Sequence, residues 1–278
     1  MSNTSNELRL DVDQAFLGLV DEAPGRYYFS AAPHLCRPDR MLYGGTAIAA
    51  AFAATERLTG RPSIWQTTQL IGTTEVGARI DVAVEVLAPG YRTSQVQVTG
   101  SVDGRTIFVS LGAAVTPNPD GHDGQIEEFI DVPPPEECPQ AAFVEPANGW
   151  FVGLEGRVAL DEDDLRNTRI WTRFEDGQPW TAARLAYVAD VIPIGVERGL
   201  RDLGVGLSLD NTLRVGEIRQ TDWVLLDVRA QQAHGGYCHG SVHLWTRDGH
   251  LLGTGSQTAK MTRVDFESLC RVPSPTGE

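Results

Sequence analysis

The chain has 278 residues, 41% hydrophobic and 22% charged, enough for one large domain or two ordinary ones with a sizeable core. Its formal net charge of −14 argues against general nucleic-acid or membrane-surface binding, because phosphate backbones and anionic lipid repel it. No apolar run approaches the roughly 20 residues that cross a bilayer. Met1 to Arg9 lacks a signal-peptide core, and the scattered Cys36, Cys138, Cys238 and Cys270 suggest neither zinc nor disulfides, so a cytoplasmic protein is expected.

In chain order, Tyr27 to Ala31 reads as an edge strand and Gly45 to Leu58 as an Ala-rich helix able to lie close to a sheet. Strand-like runs follow at Ile64 to Ile71 and Ile80 to Leu87. Next come Gly90-Tyr91, Val96, Val98 and Asp103-Gly104-Arg105-Thr106-Ile107, where Asp-Gly between alternating apolar residues signals an antiparallel hairpin. The acidic stretch Thr116 to Asn148 carries Pro117, Pro119, Pro133, Pro134, Pro135 and Pro139 and reads as an extended linker.

The same plan then returns. An edge strand is expected near Trp171 to Glu175, a helix over Thr181 to Leu203, and strands over Gly206 to Val215 and Trp223 to Ala230. A second hairpin runs through Gly236-Tyr237, Val242, Leu244 and Asp248-Gly249-His250-Leu251-Leu252. A sheet wrapped around one long, small-residue helix is the hot-dog architecture. The expected fold is α+β, a double hot dog, with units over 1–116 and 149–278 and a linker over 117–148.

Several familiar chemistries are missing. No nucleophile elbow, P-loop or H-E-x-x-H stands in the sequence; Gly206-Leu207-Ser208-Leu209-Asp210 lacks the second glycine of the elbow. On one strand His239 and His243 share a face but lie roughly 13 Å apart at about 3.3 Å per residue, so they read as solvent-facing residues and no metal is expected.

Four places break the apolar pattern. Asp190 falls in Leu185-Ala186-Tyr187-Val188-Ala189-Asp190-Val191-Ile192-Pro193, where a carboxylate is costly; it reads equally as a cap near Pro193 or as a functional group. Gln257 shares a strand face with Leu251, Gly253, Gly255, Ala259 and Met261 and reads as a buried amide, structural or functional. By the hairpin alignment the first half has Gly112 there, and Thr55 roughly at the place of Asp190. Ser208 reads as a strand-start turn residue or a site hydroxyl. Gly44 and Gly45 read as a tight turn or as a close backbone approach to a ligand, with helix-start N–H groups polarising its carbonyl.

From Tyr43 to Met261 these pieces resemble the TesB-type (type II) acyl-CoA thioesterases. The matching text is Tyr43-Gly44-Gly45 before an Ala-rich helix, Leu185 to Asp190, Ser208-Leu209-Asp210-Asn211, Asp222-Trp223-Val224-Leu225-Leu226, and Asp248-Gly249 with Ser256-Gln257. The resemblance implies hydrolysis of acyl-CoA to fatty acid and CoA, by a water held by Asp190, Ser208 and Gln257. It implies no cofactor, an acyl-CoA substrate and a homodimer or larger homo-oligomer. The alternatives on the same scaffold are a non-catalytic acyl-CoA binding protein and a hydratase or dehydratase. The sequence departs from the family at Thr46, at Trp65 to Ile71 and at Asn211, which bears on acyl specificity and rate.

Overall fold

The computed structural model describes residues 3–141, 152–159, 167–201 and 204–263. A helix α1 (Asn3–Leu17) precedes the first half, which comprises β1 (Val20–Ala23), β2 (Arg26–Ser30), α2 (Gly44–Thr59), β3 (Ser63–Leu70), β4 (Arg79–Pro89), β5 (Thr93–Val102) and β6 (Arg105–Val115). The second half comprises β7 (Leu154–Val158), β8 (Asn167–Phe174), α3 (Ala182–Val188), α4 (Ile192–Leu200), β9 (Gly204–Val215), β10 (Val224–His234), β11 (Tyr237–Thr246) and β12 (Leu251–Arg263). Residues 142–151, which end the expected linker and open the expected second unit, lie outside the described set.

All strands join one twelve-stranded antiparallel sheet, ordered β1-β2-β4-β5-β6-β3-β9-β12-β11-β10-β8-β7. The halves meet where β3 pairs with β9, from Trp65 opposite Arg214 to Gln69 opposite Asp210. Each half curls around its helices, as a double hot dog should. The expected edge strands stand one place in from the edge, because β1 and β7 cap them.

Helix α2 is buried at every residue from Gly45 to Glu56. Alanine makes this possible: it favours the helix and leaves room for the sheet to approach closely. Gly60 stops the helix in the left-handed region at φ 64°, its N–H returning to the Glu56 carbonyl at 2.9 Å.

The long second helix expected over Thr181 to Leu203 is two helices, α3 and α4. Pro193 is the cause. It lacks an N–H, and its ring would strike the carbonyl four residues back, that of Ala189. The chain breaks at Asp190 and restarts with Pro193 in the first turn of α4.

The described part of the proline-rich segment packs on the second half. Ile130, Val132 and Cys138 pack against Trp171, Trp223, Leu225 and Trp245 on the outer face of the second half. The Trp171 indole donates to the Pro133 carbonyl at 2.9 Å. His243, expected to face solvent, is partly buried and stacks on Trp245 with centroids 6.1 Å apart.

The sequence pattern did not foresee α1. It buries Val12, Asp13 and Leu17 and carries Arg9 to Glu56 at 2.7 Å. Burial pushes the Asp13 carboxyl up to about 7, with Thr181 and two arginines pulling it back, and pushes Glu56 up to about 8, with Arg9 opposing. Between pH 5 and 8 the folded chain therefore holds protons that the unfolded chain has released, so folding stability falls as pH rises through that window. The thermal midpoint is expected to drop from pH 5 to pH 8; a midpoint that climbs across that interval would contradict this reading of the two carboxyls.

Candidate active site

The break between α3 and α4 leaves backbone groups that need partners. The Tyr43 hydroxyl, from the start of α2, donates to the Asp190 carbonyl at 2.6 Å, and the Asn211 amide reaches the Ala189 carbonyl at 3.5 Å. The Ile192 N–H donates to Gln257 Oε1 at 3.2 Å. That last bond fixes the Gln257 amide, so its nitrogen points at Asp190.

Three residues far apart in sequence now meet. Gln257 Nε2 lies 2.5 Å from Asp190 Oδ1 and 2.7 Å from Ser208 Oγ. Ser208 in turn donates to the same Oδ1 at 2.9 Å. Asp190 and Gln257 are both buried. The expectation has Asp190, Ser208 and Gln257 holding one water; in the structure the donors of Ser208 and Gln257 converge on one oxygen of the Asp190 carboxylate. The other oxygen, Oδ2, lies beside Gly44, where a Cβ would sit only 2.5 Å from it.

Burial raises the Asp190 carboxyl to about 6, while the Ser208 hydroxyl, the Gly45 N–H, the Arg37 charge and the Asn211 amide pull it back toward the ordinary range. The Gly45 N–H thus acts on the carboxylate as well as standing at the start of α2. Gly44 does line the cavity. Gly45 has a second duty: a Cβ there would fall 2.3 Å from the Tyr187 carbonyl oxygen and 2.4 Å from Tyr43 Cε1. The two glycines let α2 and the Asp190 break touch backbone to backbone.

The carboxylate opens on a cavity of about 540 Å³ between the halves. Leu42, Leu70, Ile107 and Phe108 come from the first half, and Val191, Pro193, Ile194, Leu207 and Leu209 from the second. Arg37, Asp190 and Glu197 are its charged lining residues. Such a lining suits an apolar chain ending in one polar, reactive group. Among the described residues no group of three or more His, Cys, Asp or Glu could hold a metal ion, and no helix is long and apolar enough to cross a membrane.

Of the five residues singled out, Asp190, Ser208, Gln257 and Gly44 line or adjoin one cavity, and Gly45 supports it. Sequence reasoning missed Tyr43, Asn211 and Arg37 as parts of the site. The available signal was Pro193, whose missing N–H orphans the Ala189 carbonyl and so calls for a donor nearby.

Residues 33–116 match a family model described as an acyl-CoA thioesterase N-terminal domain, and residues 127–261 match the corresponding C-terminal domain. A search of curated proteins finds no match. Among solved structures, a provisionally assigned thioesterase from Novosphingobium aromaticivorans is 33% identical, with 88% of this chain and 98% of that one covered and a TM-score of 0.81. The tesB protein of Mycobacterium avium subspecies paratuberculosis is 19% identical over 91% of this chain and 99% of its own, at a TM-score of 0.77. The acyl-CoA thioesterase II TesB2 of Mycobacterium marinum is 17% identical over the same shares, at 0.72. The last two likenesses speak for the fold alone.

Proposed function

Because this chain belongs to the acyl-CoA thioesterase family and is a thioester hydrolase, we propose that it cleaves acyl-CoA at the Asp190 cavity, with Asp190 as general base. The observation that carries this reading is the buried carboxylate with two donors on Oδ1 and its second oxygen at the bare backbone of Gly44. Ser208 and Gln257 hold the carboxylate in one rotamer. Oδ2 takes a proton from water as the water oxygen bonds to the thioester carbon. The carbonyl oxygen gains the charge, facing the helix-start N–H of Gly44. The tetrahedral adduct collapses, the carbon–sulfur bond breaks, and the proton on Asp190 passes to the departing CoA sulfur. A thioester is activated enough for this without further help.

Release of free CoA thiol from a panel of acyl-CoAs tests the reading; no release from any of them would end it. The pH profile tests the base. Asp190 must be ionised, and its carboxyl is raised to about 6. kcat/KM is expected to be flat above about pH 7 and to fall tenfold per unit below about pH 6. An acid limb centred near pH 4 would show that the base is a solvent-exposed carboxylate elsewhere.

A further inference from the structure

The two halves repeat in register as well as in order. The same spacing separates Ser63 from Ser208, Gln66 from Asn211, and Gly112 from Gln257. Their pairings match too: Ser63 lies opposite Ala114 and Gln66 opposite Gly112, as Ser208 lies opposite Ala259 and Asn211 opposite Gln257. The catalytic cavity joins the start of α2 in the first half to Asp190, Ser208 and Gln257 in the second. Exchanging the halves defines a counterpart, between the start of α3 and Thr55, Glu56, Ser63 and Gln66.

That counterpart holds a cluster the mechanism does not use. Gln66 fills the space that a side chain on Gly112 would take, its Cδ only 2.3 Å from a Cβ built there. Its amide donates to Thr55 Oγ1 at 3.0 Å and to Ser63 Oγ at 3.3 Å, much as the Gln257 amide serves Asp190 and Ser208. The carboxylate is Glu56, next in sequence to Thr55 and buried, with the Ser63 N–H on Oε1 at 2.8 Å.

Helix α1 fills the place where substrate would enter. Arg9 lies on Glu56 Oε2 at 2.7 Å, and Asp13 accepts from the Thr181 hydroxyl, at the start of α3, at 2.5 Å. The seal is imperfect. Asp13 Oδ2 and the Nε and Nη1 of the fully buried Arg184 have no hydrogen-bond partner among the described residues. Unsatisfied buried groups of this kind are costly, and a polar ligand would relieve them.

We propose that this counterpart is a second acyl-CoA-binding site, lined by Glu56, Ser63, Thr181 and Arg184 and closed by α1 as a displaceable plug. It rests on the reading of the first site as an acyl-CoA cavity. Occupant and plug compete for the same groups, so withdrawing Arg9 and Asp13 makes room for a thioester.

Calorimetric titration with a non-hydrolysable thioether analogue of acyl-CoA tests this on three proteins: the intact chain, a chain beginning at Gln14, and the full-length double variant Arg9→Ala, Asp13→Ala. The double variant keeps the full chain but removes the two polar anchors that hold α1 in place, and so decides the matter if the shortened chain does not fold. Intact protein is expected to bind one analogue per chain and the altered proteins two. A stoichiometry that does not rise by one on loss of Arg9 and Asp13 overturns the plug. If the intact chain binds none, the first site falls on its own; a rise from none to one would still uphold the second.

Discussion

Replacing Asp190 with Asn is expected to lower kcat by roughly 10²- to 10⁴-fold, the range for losing a general base. Asn matches Asp in shape, and its oxygen can still accept from Ser208 and Gln257, which hold Oδ1 in the native chain. What it cannot do is take a proton. Binding of a non-hydrolysable analogue should change little, since the missing interaction belongs to the transition state. The raised carboxyl adds a second signature: the acid limb near pH 6 should vanish with the carboxylate. Equal losses in kcat and in analogue affinity would mean that Asp190 builds the cavity and does not run the reaction.

The second large effect concerns stability. Gly45→Ala would place a methyl 2.3 Å from the Tyr187 carbonyl oxygen. That oxygen is backbone, held in α3, and cannot step aside as a side chain can. The helices must separate, and overpacking of this kind costs about 1–3 kcal/mol. The same shift would pull the Gly45 N–H from Asp190, so kcat should fall as well. Denaturant midpoints with an unchanged slope would measure the first effect. Gly124→Ala, where nothing lies within 4 Å, serves as the control and should move neither. A Gly45→Ala protein as stable and active as the parent would show that the crossing of α2 and α3 is loose.

Where the signal is local, the sequence is legible. The two Asp-Gly hairpins and the all-alanine helix face were readable because turn geometry and helix spacing depend on near neighbours. Asp190 was visible as a carboxylate in an apolar run. Gln257 was visible from the small residues that share its face. Pairings across the sheet were not. The importance of Gln66 comes from the absent side chain of Gly112 on the adjacent strand, which no window along the chain reveals. Arg9 and Asp13 sit in a polar helix that composition assigns to solvent, yet they penetrate to Glu56 and Thr181. The proline-rich segment reads as a linker because prolines and acidic residues dominate it. The clue lay elsewhere, in Trp171, Trp223 and Trp245 on the outer face, which needed a cover.

A twelve-stranded sheet that ends in open strands is a template on which further copies could polymerise. The two outermost strands are built against it. β1 has four residues, all exposed, and its Asp21 and Glu22 bind Arg57 and Arg79. β7 has five, and its Arg157 and Glu155 pair with each other while an isolated bridge from Gln140 covers part of its free side. Short, charged and partly covered rims give a second molecule too few unpaired amides to extend the ladder. Growth into fibrils is thereby opposed at both ends of the sheet.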